Sequence, residues 1–474
     1  MLEQITVTGH LEALSPLHIG TGEFERLDSM RTGKDVPQAI LEAPDSADKL
    51  KSLVSKVVRD FEGLPCIPGT TLKGCLQAAC REVGFSTEER QAIFGEITQH
   101  KGKEASAEEE TGRMGAVRFL LARMDKQSIP AESDLPFYVA DEASYILTRV
   151  ATDRDSGTAE DKKLFNQELV PQGTRFGLRL HFTGSMDAFQ ERVKPLLDLM
   201  AGTAGIPLGK GQGLSQGRVR LLEQELLIQH IWFDAQAFSQ ETENLTIDLQ
   251  PNDAPGARLT RKLRLTCKGP YLIHDPCRAG KKKTAEPSTQ TLQSGPGQPL
   301  LLPSSLLGVL RSRMAWAQAQ QMEQPCQDCD EIDNRFRRPD WKKPDKLTTT
   351  ERLFGVTGWR KLLEVAEVKL VDGGQECDLT SVALDRFSAA PIDNALFTTR
   401  AYRGVEFLVT LALALRRFRM PEGKEALSFG RGNQEDEEAF HALIDQVCQE
   451  EVLMLGHGVN KGFGWFTVKE VRDA

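Results

Sequence analysis

The segment IPGTTLKGCL at residues 67–76 returns as LLPSSLLGVL at residues 301–310, so that Leu72 and Gly74 fall on Leu306 and Gly308 at a shift of 234. Each copy reads as the start of a helix. Small hydroxyl residues, Thr70 and Thr71 or Ser304 and Ser305, offer cap oxygens, and the apolar residues that follow share one helical face. The doubling extends outward on both sides. Upstream, SPLHIGTG places His18 before Gly20 and Gly22, and GPYLIHDP places His274 at the matching point. Downstream, Ile93-Phe94-Gly95 answers Leu353-Phe354-Gly355. RVATDRDSGTAEDKKLF (149–165) answers SVALDRFSAAPIDNALF (381–397), so Asp153, Arg154, Ser156, Leu164 and Phe165 recur at a shift of 232. Finally Gly209, Gly211 and Gly217 return as Gly456, Gly458 and Gly464, each shifted by 247. Blocks that keep one order along the whole chain mark a tandem duplication.

The repeat divides the chain into a first unit at 1–222, a linker at 223–257 and a second unit at 258–474. The linker contains the polar, Pro-bearing stretch QETENLTIDLQPNDAPGAR. Unequal shifts require insertions. HKGKEASAEEETG (100–112) serves the first copy, and RAGKKKTAEPSTQTLQSGPGQ (278–298) with the stretch from about 325 to 350 serves the second. Period-two alternation predicts strands at 4–14, 176–182 and 219–221, matched by 263–267, 407–413 and 465–468. Helical spacing follows both hydroxyl starts and recurs in ERVKPLLDLM and FHALIDQVCQEEVLML, ahead of the glycine clusters. Strand, helix, strands, helix, glycine loop, strand predicts an α+β fold of two tandem ferredoxin-like (RRM-like) units.

Composition narrows the function. The chain has 474 residues and a net charge of −9, with 40% hydrophobic and 27% charged residues, an ordinary globular balance. An overall acidic chain does not coat nucleic acid uniformly, so any RNA contact must be local. Two basic clusters exist, Arg278 with Lys281–Lys283 and the run from Arg335 to Lys346, and both read as solvated loops. The longest apolar run, Phe407 to Leu415, is far shorter than a membrane span. No signal peptide is legible, and nine scattered cysteines fit a reduced, cytoplasmic protein without membrane attachment.

The glycine clusters PLGKGQGLSQGRVR (207–220) and GHGVNKGFGWF (456–466) predict loops whose backbone takes positive φ or approaches a neighbour closely. Such loops can also expose N–H groups to an anion, with Lys210, Arg218, Arg220 and Lys461 adding charge. They fit neither the P-loop nor the dinucleotide fingerprint. His18 and His274 invite an acid–base reading, but packing beside the helix with local hydrogen bonds explains them as well.

LHIGTG, the Pro-Gly-Thr-Thr-Leu-Lys-Gly helix start, IFG, the VATDRDSGTAEDKKLFNQELVPQGTRF block and the C-terminal glycine loop together resemble the RAMP superfamily of CRISPR-associated proteins. The chain is most similar to the backbone subunits of type III effector complexes, and two such units resemble the fused double-backbone subunits of type III-D-like complexes. The resemblance implies thumb β-hairpins, matched by Thr152–Leu164 and Leu384–Leu396. It also implies guide-RNA binding through the helix starts (Thr70, Thr71, Lys73, Ser304, Ser305) and through His18, Gly20 and Gly22. The glycine loops (Lys210, Gly211, Gly213, His457, Gly458, Lys461) and the thumb arginines Arg154 and Arg386 complete the implied RNA contacts. Sequence would be read by base pairing between guide and complementary target RNA, as in other RNA-guided effectors.

Relatives that cut target RNA carry an aspartate shortly after the first glycines and use a divalent ion, Mg2+ or Mn2+. In GTGEFERLDSMRTGKD (20–35), Asp28 sits closest to that place, as the expected metal ligand and catalytic carboxylate, and Asp35 is the runner-up. The second copy offers Asp275 alone, and its missing glycines favour a unit that does not cut. Cys326 and Cys329 form a Cys-x-x-Cys, two of the four ligands that a structural zinc site would need; no second close pair follows, and Cys277 and Cys377 could join them only through the fold. The expected function is a guide-binding backbone subunit that cuts target RNA from the first unit, working with other CRISPR effector subunits. A non-catalytic scaffold and a metal-independent guide-processing endoribonuclease are the alternatives.

Overall fold

The computed structural model describes residues 2–27, 53–97, 112–152, 159–234, 239–252, 258–275, 287–321, 347–356, 359–418, 427–450 and 452–471. Asp28, Asp35, Arg154, Cys326 and Cys329 lie outside the described residues, as do both basic clusters.

The first half runs through β1 (Leu2–Ala13), β2 (Gly20–Arg26), β3 (Leu53–Val57), α1 (Gly69–Glu82), α2 (Thr87–Phe94), β4 (Val117–Phe119) and β5 (Ala122–Met124). It continues with β6 (Tyr145–Thr152), β7 (Ala159–Leu169), β8 (Arg175–Thr183), α3 (Met186–Arg192), α4 (Lys194–Ala201) and β9 (Arg218–Leu221). The alternation expected in β1 is real: Ile5, Val7, Leu11 and Ala13 are buried. Helix α1 buries Leu72, Leu76, Ala79 and Cys80, one face at helical spacing, and each fully buried leucine contributes about 2 kcal/mol. The sheet places last strand beside first, then third, then second: β9, β1, β8, then β4 and β5, all antiparallel.

Residues expected within the linker are structured. β10 (Leu227–Asp234) pairs antiparallel with β1 from Leu2 to Thr8, and β11 (Ser239–Leu245) pairs with β10. β1 is long enough that β9 covers only its last three residues, leaving an edge that β10 fills. Polar composition hid this strand pair, because edge strands solvated on one side carry little apolar signal.

The second half repeats the plan: β12 (Arg258–Cys267), β13 (Thr289–Gln290), α5 (Pro303–Gln321), α6 (Thr349–Phe354), β14 (Leu363–Asp372), β15 (Gln375–Leu384), β16 (Pro391–Arg403), β17 (Glu406–Phe418), α7 (Gln434–Glu450) and β18 (Trp465–Val471). Its main sheet runs β18, β12, β17, β14, again last, first, third, second. The fold is therefore mixed α+β, with helices between first and second and between third and last strands of each half. Helix α7 ends before Leu453 and Met454, which form a short strand with β18, so the C-terminal end of FHALIDQVCQEEVLML is not helical as expected.

Each half carries a second, smaller sheet. In the first, β2, β3, β7 and β6 lie side by side with β3 parallel to β7. In the second, β16 pairs parallel with β13 and antiparallel with β15. The halves share apolar packing. Tyr138, Tyr145, Leu147 and Leu169 of the first half join the core built by Leu263, Phe407, Leu411 and their neighbours in the second. A parallel bridge between Leu214 and Val365 continues this contact through the backbone.

Candidate nucleic-acid interface

The two glycine loops dock in the same register. Lys210 N–H donates to the His18 carbonyl (2.8 Å) and His457 N–H to the Leu272 carbonyl (2.7 Å). Gly217 and Gly464 donate to Pro16 and Pro270, both at 2.7–2.8 Å. All six repeated glycines have φ between +68° and +100°. A Cβ on Gly217 would sit 2.2 Å from the Leu208 carbonyl oxygen, and one on Gly464 would sit 1.8 Å from that of Leu455. Glycine is required there by conformation and by close backbone approach alike.

This register corrects one sequence alignment. His18 corresponds to Leu272, not to His274, and His274 takes the place of Gly20. The strand partners agree, since Gly20 faces Val57 where His274 faces Thr291. The histidines recur in sequence two places out of structural register, so they have no common role.

His18 is fully buried, which removes it from the expected RNA contacts. Its Nδ1–H donates to the Glu168 carbonyl at 2.7 Å, which leaves Nε2 to accept from Ser55 Oγ at 3.3 Å. Burial holds its pKa below the ordinary histidine value, so the ring is neutral. The Glu168 carboxylate beneath it accepts from Val57 N–H (2.9 Å) and Ser144 Oγ (2.7 Å) and pairs with Arg59. Burial alone would raise this carboxyl, but Arg59 and the two hydrogen bonds outweigh it and hold the pKa low. Together these groups fix the strand that carries Gly20 and Gly22, both of which are exposed.

Helix α1 meets the first glycine loop at Cys75, which hydrogen-bonds to the backbone of Gly209. The expected hydroxyl cap is absent: Pro68 is the N-cap and no side chain caps the helix. Gly69 is held against Phe119, whose carbonyl oxygen lies 2.1 Å from where a Cβ would stand. Thr70 is exposed, while Thr71 and Lys73 are half-buried, so the hydroxyls are left to face outward. Ser304 and Ser305 take half-buried places at the start of α5.

Other expected contacts separate by exposure. Lys210, His457 and Lys461 are exposed, and Gly211 and Gly458 lie half-buried beside them. Gly213 is buried, with a Cβ position against Lys361 Cε of the second half, so it lies at the contact between the halves. Arg218 is also turned inward, donating to the Ala204 carbonyl at 2.8 Å. Arg220 pairs with Glu12 at 3.2 Å. Asp275 is fully buried, and its amide donates to Gln290, which takes it away from any surface where RNA would be cut.

The β15–β16 hairpin projects its tip at Asp385–Ala390, where the Asp385 carboxylate caps the turn by accepting from Phe387 and Ser388 N–H at 3.0 and 2.8 Å. Arg386 is exposed at this tip. Phe387 is 99% exposed, with Leu384 (55%) and Leu396 (69%) behind it. A row of apolar side chains held in water on a two-stranded arm marks an interaction surface.

Sequence reasoning missed the charged groups where the halves meet: Arg149, Arg360, Lys361 and Glu364. A signal existed for two of them. Arg149 interrupts the apolar alternation of β6, and Glu364 sits on the buried phase of LLEVAEVKL.

Among the described residues, no group of three or more His, Cys, Asp or Glu side chains is placed to hold a metal ion, and no helix is long and apolar enough to cross a membrane. The family model described as the RAMP superfamily matches residues 10–220 and again residues 264–467. The chain belongs to the RAMP superfamily, as two consecutive copies, and so to the CRISPR-associated proteins that work with RNA in complexes. No curated protein matches it.

Proposed function

We propose that the chain is the guide-RNA-binding backbone subunit of a type III CRISPR effector complex, made of two fused ferredoxin-like units. The observation that carries this reading is the repeated pairing of an exposed glycine loop with a conformationally fixed neighbour strand, once in each half. The N–H groups of an uncapped helix N-terminus favour phosphate oxygens whatever the base sequence. Lys210 and Lys461 add the charge that makes such binding salt-dependent. Sequence recognition then falls to base pairing between guide and target RNA. The β15–β16 hairpin, with Phe387 at its tip, suits contact with unstacked bases along that duplex.

Target cleavage from the first unit is part of the proposal, through Asp28 and a divalent ion, and it rests on the family resemblance. Asp28 lies outside the described residues, and the described residues gather no metal-ligand group. The second unit is proposed as structural, because Asp275 is buried. The protein is proposed to act in the cytoplasm beside other effector subunits.

The test assembles the complex on a guide RNA with the wild-type chain or with Asp28→Ala and maps cleavage of an end-labelled complementary RNA in magnesium. Loss of one product with the others retained supports the assignment. An unchanged ladder from an intact complex moves the chemistry to Asp35 or leaves the chain a scaffold. Cleavage that survives EDTA points instead to a metal-independent endoribonuclease.

A further inference from the structure

The contact between the halves holds more positive than negative charge. Glu364 is 2% exposed, and one carboxylate serves three guanidinium groups: Arg360 at 3.2 Å, Arg258 at 3.2 Å and Arg218 at 3.8 Å. Lys361 follows directly in the chain and lies against Gly213. Arg416 sits over the Trp359 ring at 5.4 Å and donates to the Arg360 carbonyl. Arg149, from β6 of the first half, faces the same place, within Coulombic reach of Lys361 and His18. Six cations therefore face Glu364 and, farther off, Glu82.

One donor in this cluster is unmet: Arg149 Nε is buried without a hydrogen-bond partner, whereas Arg218 Nη2 faces Glu364 Oε2 at 3.8 Å. A buried guanidinium donor left unsatisfied is costly, and so is an excess of like charge at low dielectric. Both costs vanish if an oxyanion enters. Burial lowers the Lys361 pKa to about 8, opposed by Glu364 and assisted to a lesser degree by Arg149 and Arg360.

We infer that the junction between the two units is an oxyanion site in which Arg149, Arg360 and Lys361 hold a phosphodiester of the bound RNA as it passes from one unit to the next. The inference rests on the RNA-binding reading above, and it adds residues that neither glycine loop supplies. Glu364 stays paired with Arg218 and Arg258 and orients the cluster, acting as a positioning residue. The same geometry would accept free inorganic phosphate, which the experiment separates.

The experiment measures binding of a fluorescent single-stranded RNA to the full chain across a salt series, for wild type, Arg149→Gln, Lys361→Gln and the double variant. Thermal melting of each variant establishes that it is folded. The expected result is about a tenfold loss of affinity per substitution, with the slope of log K against log salt reduced by about 0.7 for each phosphate no longer neutralised. Double-variant affinity and slope equal to wild type overturn the junction site while leaving the RNA-binding reading intact. A wild-type chain that binds no RNA overturns that reading itself. Melting in millimolar inorganic phosphate adds the second arm. Stabilisation that vanishes in the double variant, with RNA affinity unchanged, assigns the site to a free anion and overturns its role in RNA binding.

Discussion

The backbone of Leu214 in the first glycine loop forms a parallel bridge with Val365 in the second half, so a loop docked on the first unit's own backbone is also part of the joint to the next. Val365 N–H donates to the Gly213 carbonyl at 3.2 Å, one residue from the buried Glu364. Movement at the joint is thereby coupled to the shape of the loop.

Replacing Glu364 by alanine leaves the buried Arg218 and the half-buried Arg258 without their carboxylate. Breaking such a partnership costs about 3–5 kcal/mol. We expect a fall in stability of that order in urea denaturation. The change should localise to the joint, seen as faster amide hydrogen exchange in 213–221 and 363–368 than in the rest of the sheets.

Gly217→Ala and Gly464→Ala combine positive φ with a Cβ placed on a carbonyl oxygen, so each should destabilise its unit by about 2 kcal/mol or more. Gly22→Ala is the control, because Gly22 has φ +88° but open space around it, and about 1 kcal/mol is expected. Thermal melts of the three variants decide the order.

The neutral, buried His18 makes stability depend on pH in a defined direction. Its folded pKa is below its unfolded value, so its contribution is present above about pH 6.5 and is lost as pH falls through the folded pKa. His18→Asn keeps a donor for the Glu168 carbonyl but cannot be protonated in this range. Denaturation midpoints from pH 7.5 to 5 should fall less steeply for the variant than for wild type. Equal slopes would refute the neutral assignment.

Glu168 sets a second and lower window. Its folded pKa is depressed, so its contribution holds above the ordinary glutamate value near 4.5 and disappears as pH falls through the folded pKa. Glu168→Gln should be less stable than wild type at pH 7, and the gap should narrow as the solution is acidified below about pH 4.

Phe387→Ser removes an apolar ring that touches water almost everywhere. Stability should change by less than about 0.5 kcal/mol. Binding of a guide–target duplex should weaken, measured at fixed salt so that phosphate binding stays constant. Unchanged binding would take the hairpin tip out of the interface.

Much of this protein was written in its residue order. Duplication, the two-unit plan and the position of each glycine loop follow from recurrences such as Gly217 with Gly464, because a backbone at positive φ pressed on a carbonyl tolerates no other residue. Period-two and helical spacing located the first, third and last strands of each main sheet and one helix after the first and one before the last, since a buried face imposes its own period. Pairing across the chain was beyond that reach. Only the tertiary structure decided that His18 aligns with Leu272, that Asp275 is interior and that residues 227–245 extend the first sheet. It alone brought Arg149, Arg218, Lys361 and Glu364 to one joint from places up to 215 residues apart. The reason is physical. Local periodicity records which side of an element is buried, whereas charge balance at an interface depends on which elements meet, and that is settled only when the chain has folded.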